Sequence, residues 1–282
     1  MELQLHLVLL VLLAAVLHAG WNAFVKSSGD RFLTFTAIRG TGTVLGLLGV
    51  AFVPFPAAPA WPYLIAGLVI HNFYYVALLQ AYRFGDLSHV YPLSRGIAPM
   101  TVAVLAAVFA GEAPNAGGTA GIMLVSAGII GLMFSGPGLK DGGLKPVLLA
   151  AVTGLFIASY TVVDGLGVRL GETAIGYIVW LNVGEGIPFM LAALVLKPGE
   201  AGTFLKRNWP RTTGAGVVMV LAYALVLYAL GQGAMAHVSA LRETSVLFAV
   251  VIGVVVLGEP LGWRRMAAAA VIVAGVIVLQ VS

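Results

Sequence analysis

Six ionisable side chains lie where such groups are hard to accommodate. Arg39, Arg95, Asp164, Glu185, Arg242 and Glu243 each fall within an apolar stretch of bilayer-crossing length. A charge at that depth costs at least about 2.5–3.5 kcal/mol on insertion scales, so each needs a partner or a task. Three are cationic and three anionic, which predicts pairing inside a bundle. A guanidinium has a second use, since its planar fork grips a carboxylate or phosphonate through two parallel hydrogen bonds. A buried carboxyl has one too: burial favours its neutral form, so it can carry a coupling proton. Arg39, Asp164 and Glu185 are assigned here to charge pairing or proton coupling.

Arg95 and Arg242 belong to a repeat. Arg95, Val104, Val108, Gly111, Glu112, Ala120, Ala127, Gly128 and Ile130 return 147 positions later as Arg242, Val251, Val255, Gly258, Glu259, Ala267, Ala274, Gly275 and Ile277. Each arginine lies about two turns, roughly 10 Å, inside its helix. Expected roles are substrate contact at two gates, or at two ends of one path. The bland alternative is a helix–helix salt bridge or a bond to backbone carbonyls. Glu243 diverges from Arg242 by about 100° on a continuous helix, so the two form no simple pair and Glu243 faces a cavity. Trp21, Asn22, Tyr75 and Tyr160 complete the proposed substrate pocket; His18, Trp21 and Asn22 share one helical face. The competing reading for aromatics is an interfacial belt, adopted for Tyr82, Tyr91 and Trp263. Pro92 and Pro99 should kink their helix beside Arg95. Glu112 and Glu259, each after a glycine, end one helix and precede another, and are taken as structural caps.

The elements that position these groups follow from composition. The chain is 60% hydrophobic and only 9% charged, with mean hydropathy +1.02. That places most of it in a membrane. Ten helical spans are expected, at 4–25, 32–53, 61–82, 88–110, 117–136, 144–167, 174–196, 213–232, 237–257 and 264–281. The first carries no basic n-region and is taken as a span, not a signal peptide. The expected fold is an all-α membrane protein of ten transmembrane helices, arranged as two inverted five-helix repeats, 1–138 and 139–282. An odd number of spans per half inverts the second half. Loop charge agrees. One side would carry Lys26, Arg31, Arg83, Lys140, Lys145, Lys197, Lys206, Arg207, Arg211, Arg264 and Arg265, and the other only Arg169. By the positive-inside rule both termini then face outward from a plasma (inner) membrane. Small residues four apart (Gly42 and Gly46, Gly117 and Gly121, Ala270 and Ala274) should pack helices closely, within the bundle or across a dimer face.

Several classes drop out. With no cysteine there is no disulfide, thiolate metal site or thiol nucleophile. The net charge of +4 is not gathered into a run that could track a phosphate backbone, so nucleic acid is not a partner. No phosphate loop and no metal-binding histidine spacing occurs, so no cofactor, metal or enzymatic activity is expected.

The layout resembles the EamA-type transporters of the drug/metabolite transporter superfamily. The resemblance rests on the ten spans, the Gly-Glu pairs at 111–112 and 258–259, and two segments, His18 to Lys26 and Ser239 to Ser245. Those two segments look like a subgroup associated with phosphonate-utilisation neighbourhoods. It implies a central cavity lined by the first, third, fourth, sixth, eighth and ninth spans. It also implies movement of small polar or amphipathic metabolites. Many relatives keep their termini in the cytoplasm, opposite to the loop charges here. The resulting expectation is a secondary transporter of amino-acid-like or organic anion metabolites, working by alternating access as monomer or homodimer in the lipid bilayer. Uptake of phosphonate-like anions, a non-transporting scaffold or sensor, and an intramembrane enzyme acting on lipid are the alternatives.

Overall fold

The computed structural model describes residues 3–84, 87–133, 144–257 and 262–282, without side chains at 82, 83, 87–89, 256 and 257. Apolar runs become helices: α1 Leu5–Lys26, α2 Arg31–Gly49, α3 Trp61–Phe84, α4 Leu87–Ala110, α5 Ala116–Leu132, α6 Lys145–Leu170, α7 Ala174–Glu185, α8 Ile187–Leu196, α9 Glu200–Gln232, α10 Met235–Arg242, α11 Ser245–Leu257 and α12 Trp263–Gln280. No strand occurs among the described residues. Helix suits the setting, because it satisfies every backbone group within the segment. Among the described residues nine segments are long and apolar enough to cross a membrane, taking α7 with α8 and α10 with α11 as one each; α5 is apolar but shorter.

Polar residues mark where helices begin. Asp30 accepts from the Leu33 N–H at 2.9 Å, Asn115 from Gly118 at 2.7 Å, and Thr173 from Gly176 at 3.0 Å. Each fills a donor left free in a first turn. Three expected boundaries moved. The eighth span starts at Glu200, not 213, because Lys206, Arg207 and Arg211 are good helix formers although polar. The seventh span breaks at Gly186 and the ninth at Glu243–Thr244. By contrast, α4 stays helical through Pro92 and Pro99.

The two glycine pairs pack inside the bundle, whereas Ala270 and Ala274 are exposed on α12. A Cβ at Gly121 would lie 2.8 Å from the Leu279 backbone nitrogen and 3.0 Å from the Gly275 oxygen, so α5 and α12 nearly touch backbones. Gly46 meets the α7 backbone in the same way.

Ties between distant segments fix two ends of the bundle. At one end Arg169 pairs with Glu112 and donates to the Leu230 oxygen at 2.9 Å and the Gly233 oxygen at 2.7 Å. Leu3 packs on Gly233, and Asn115 donates to the Ser282 oxygen at 2.6 Å, so both chain ends share this face. At another, Lys197 pairs with Asp30, joining the α1–α2 and α8–α9 connections. Glu112 is a cap, but its second oxygen accepts from the Met235 N–H at 2.8 Å, so it caps α10 while Asn115 caps α5. A carboxylate three residues before its own next helix is displaced there by the better-placed asparagine. Gly258, Glu259, Lys140 and the 138/139 boundary lie outside the described residues, as do the side chains of Tyr82 and Arg83.

Candidate substrate site

Two helix breaks hold the carboxylates. The first follows Glu185. Pro188 cannot donate to the ladder, and Thr43 of α2 fills the gap. Its hydroxyl donates to the Asn182 oxygen and accepts from the Gly186 N–H, each at 3.2 Å. Only glycine fits at 186, where a Cβ would lie 2.5 Å from both the Arg39 oxygen and Thr43 Oγ1. Glu185 pairs there with Arg39, both buried.

His71 on α3 stands between two carboxylates. Its Nε2 is 2.8 Å from Asp164 Oδ2, and its Nδ1 is 3.2 Å from Glu185 Oε1. Asp164 of α6 is fully buried and accepts from the Tyr223 hydroxyl at 2.5 Å and the Tyr177 hydroxyl at 3.0 Å. The Tyr160 ring stacks on His71 with centroids 4.0 Å apart. The Arg39 guanidinium sits 5.2 Å from the Tyr75 ring centroid, a cation–π distance.

The second break is a turn at Glu243–Thr244, where the Glu243 and Thr244 N–H groups bond back three residues to Ala240 and Leu241. Arg95 Nε lies 2.6 Å from Glu243 Oε2, and Arg95 Nη2 donates to Ser245 Oγ at 3.3 Å. Arg242 Nη2 is 3.5 Å from Glu243 Oε1. Arg242 also lies 5.9 Å from the Tyr160 centroid, so Tyr160 stands between the two charge groups.

A cavity of about 40 Å³ runs between them. His18, Trp21, Tyr74, Tyr75, Tyr160 and Tyr223 give its aromatic lining, with Arg39, His71, Glu185 and Arg242 as polar groups. A water needs about 10–15 Å³ by this measure, so the space suits about three waters and a metabolite would have to widen it. Three donors on its wall have neither a hydrogen-bond nor an ion-pair partner among the described residues: Trp21 Nε1, Arg39 Nε and Arg242 Nε. An unmet buried donor costs about 1–3 kcal/mol, and more when charged.

The expected site residues divide accordingly. Trp21, Tyr75, Tyr160, Arg242, Arg39 and Glu185 line the cavity. Asp164 and Glu243 stand one contact behind it, and Arg95 stands behind Glu243. Asn22 does not join them; its amide donates to the His18 oxygen at 2.8 Å, within its own helix. Arg95 and Arg242 do not occupy separate ends, because both reach Glu243. The expected divergence of Arg242 from Glu243 also fails, since the helix has ended there. Tyr91 lies against Arg95 at 5.8 Å rather than in a belt. Tyr177 and Ser245 were missed as partners. His71 was missed as a partner too, although a histidine mid-span falls under the same rule as the six charges.

Residues 144–281 match the model of the EamA-like transporter family, so the second half of the chain is similar to that family. No curated protein matches the chain in sequence. Among solved structures, one titled only "Crystal structure of protein" superposes with a TM-score of 0.77 over 98% of both chains at 19% identity. At that identity the two share a fold.

Proposed function

We propose that this membrane protein is an EamA-type secondary transporter of small polar or amphipathic metabolites, amino-acid-like compounds or organic anions, across an inner membrane. The observation that carries this reading is the cavity at the crossing of α1, α2, α3, α6, α7, α9 and α10. It is walled by aromatics, and the Nε donors of its two arginines lack acceptors. Arginine and indole donors without protein acceptors suit a carboxylate or phosphonate group, and aromatic walls suit its organic part.

Ten spans in two inverted halves, 1–138 and 139–282, would give alternating access by rocking. Helix neighbours support this: α1 packs on α9 and α11 as α6 packs on α3 and α4, and α5 packs on α12. Outward termini belong to this reading, and the face that Leu3 and Ser282 share with Arg169, the sole loop cation expected on that side, supports it. A proton is the coupling ion that the buried carboxylates suit best.

The test is a thermal-shift screen with alanine, glutamate, methylphosphonate and ethanolamine, followed by flux into proteoliposomes. Binding and flux of at least one compound, lost in Arg242→Ala with the fold intact, are expected. Absence of both across the panel would overturn the reading in favour of a scaffold. Release of a chemically altered product would favour an enzyme.

A further inference from the structure

We propose that His71 binds the coupling proton, and that this proton accompanies one anionic group held at Arg242 and Trp21. The inference rests on the transporter reading above. It starts from a count of charge. Arg39, Arg95 and Arg242 oppose Asp164, Glu185 and Glu243, all buried, so the six cancel. An anion entering this balanced site alone would leave one uncompensated negative charge in a low-dielectric interior, which is prohibitively unfavourable. One added positive charge removes that obstacle.

His71 is where the charge can be added. A neutral imidazole has one N–H and one lone pair. Here each ring nitrogen faces an acidic oxygen, Asp164 on one side and Glu185 on the other. Neutral His71 would satisfy one carboxylate and turn its lone pair on the other. Protonation would set a positive charge within 3.2 Å of both carboxylates, which the neutral ring does not. Every charged or titratable neighbour is consistent with this. From α6 come Asp164 and the stacked Tyr160; from α7, Glu185, with Tyr177 acting through Asp164. From α9, Tyr223 lies 3.4 Å from Nε2 but donates to Asp164. Tyr75 of its own helix lies farther off, at 6.5 Å, and Arg39 of α2 is engaged by the second oxygen of Glu185.

The other half of the pair is an anion. Arg95 holds Glu243 at 2.6 Å, which leaves Arg242 with a 3.5 Å contact and a free Nε. That Nε and Trp21 Nε1 are unmet donors on the same cavity. Tyr160, stacked on His71 and beside Arg242, separates the proton site from the anion site. Proton and anion would enter together and leave together: His71 loses its proton to water when the anion departs, and the six charges balance again.

The experiment uses the full chain in proteoliposomes, with labelled methylphosphonate, lactate and alanine as probes and a pH dye inside. With the membrane potential clamped at zero and acid outside, one proton per singly charged anion should concentrate methylphosphonate or lactate about tenfold per pH unit. The dye should report one proton entering per anion. In His71→Gln the accumulation ratio should fall to one whatever rate remains, and in His71→Lys the residual flux should lose its pH dependence. Wild-type anion flux without accumulation or proton entry would overturn the proposal and leave the transporter reading standing. Unchanged accumulation in His71→Gln would overturn it as well. Failure of every probe to move or to shift the melting temperature would remove the transporter reading, and this proposal with it.

Discussion

Replacing Glu243 by glutamine tests the two-arginine arrangement most directly. The change is nearly isosteric, so it removes charge without opening a hole. Glu243 is fully buried and Arg95 is 2% exposed, with 2.6 Å between them. Breaking such a pair from one side costs about 3–5 kcal/mol, because the remaining charge stays buried. Arginine cannot escape by losing its proton. Two guanidiniums depend on Glu243, so Glu243→Gln should fall at the upper end of that range. Arg95→Met should fall at the lower end, because Arg242 already stands 3.5 Å from the other carboxylate oxygen and can close on it. Arg95→Met combined with Glu243→Gln should recover about 2 kcal/mol relative to Glu243→Gln alone, since one of the two stranded cations is gone. Detergent-titrated unfolding, followed by tryptophan fluorescence, reads all three. If Glu243→Gln lies within about 1 kcal/mol of wild type, or the double variant loses as much as the singles summed, the two arginines do not share this carboxylate.

Three further outcomes follow from the packing and the loops. Gly121→Ala should destabilise by about 1–3 kcal/mol, since its methyl would press on backbone atoms of α12, whereas Gly20→Ala, with nothing within 4 Å, should not. Burial pulls the Asp30 carboxyl up, but the Leu33 N–H and Lys197 outweigh it and hold the group below its ordinary value of 3.8. Its folded value lies below its unfolded one, so its stabilisation is complete above about pH 4 and fades as acid titrates the folded group. The stability gap between wild type and Asp30→Asn should therefore be flat from pH 8 to about 5 and begin to shrink only as the pH falls below about 4. Ser282→Cys, in a chain without native thiols, should react with an impermeant maleimide from outside intact cells; labelling only after permeabilisation would reverse the topology.

Much of the helical frame was legible because length and apolarity are local properties, and the runs around Leu9, Val104 and Val251 satisfy both. Boundaries were less legible. The start of α9 was misplaced because apolarity, not helicity, marked it, and Lys206 to Arg211 are helical but polar. The site divides in the same way. Arg95, Glu243 and Asp164 announced themselves, since a charge in an apolar run is conspicuous in one dimension. Their partners did not. His71 meets Asp164 across 93 positions and Glu112 meets Met235 across 123, and nothing in either local stretch encodes the other. The breaks at Gly186 and Glu243 were hidden because glycine and glutamate also occur within unbroken helices. Only Thr43, arriving from α2, shows that Gly186 N–H has left its ladder.

The cancellation of the six buried charges reaches beyond local pairing. A membrane potential does work on charge, about 2.3 kcal/mol per elementary charge per 100 mV. Three arginines and three carboxylates moving together present no net charge to that field. The empty protein should therefore turn from one face to the other at a rate that voltage does not set. A proton with a singly charged anion would also cross silently, while a proton with a zwitterion would register as current. An electrode on a loaded membrane would thus distinguish an anion from an amino acid before either was chemically identified.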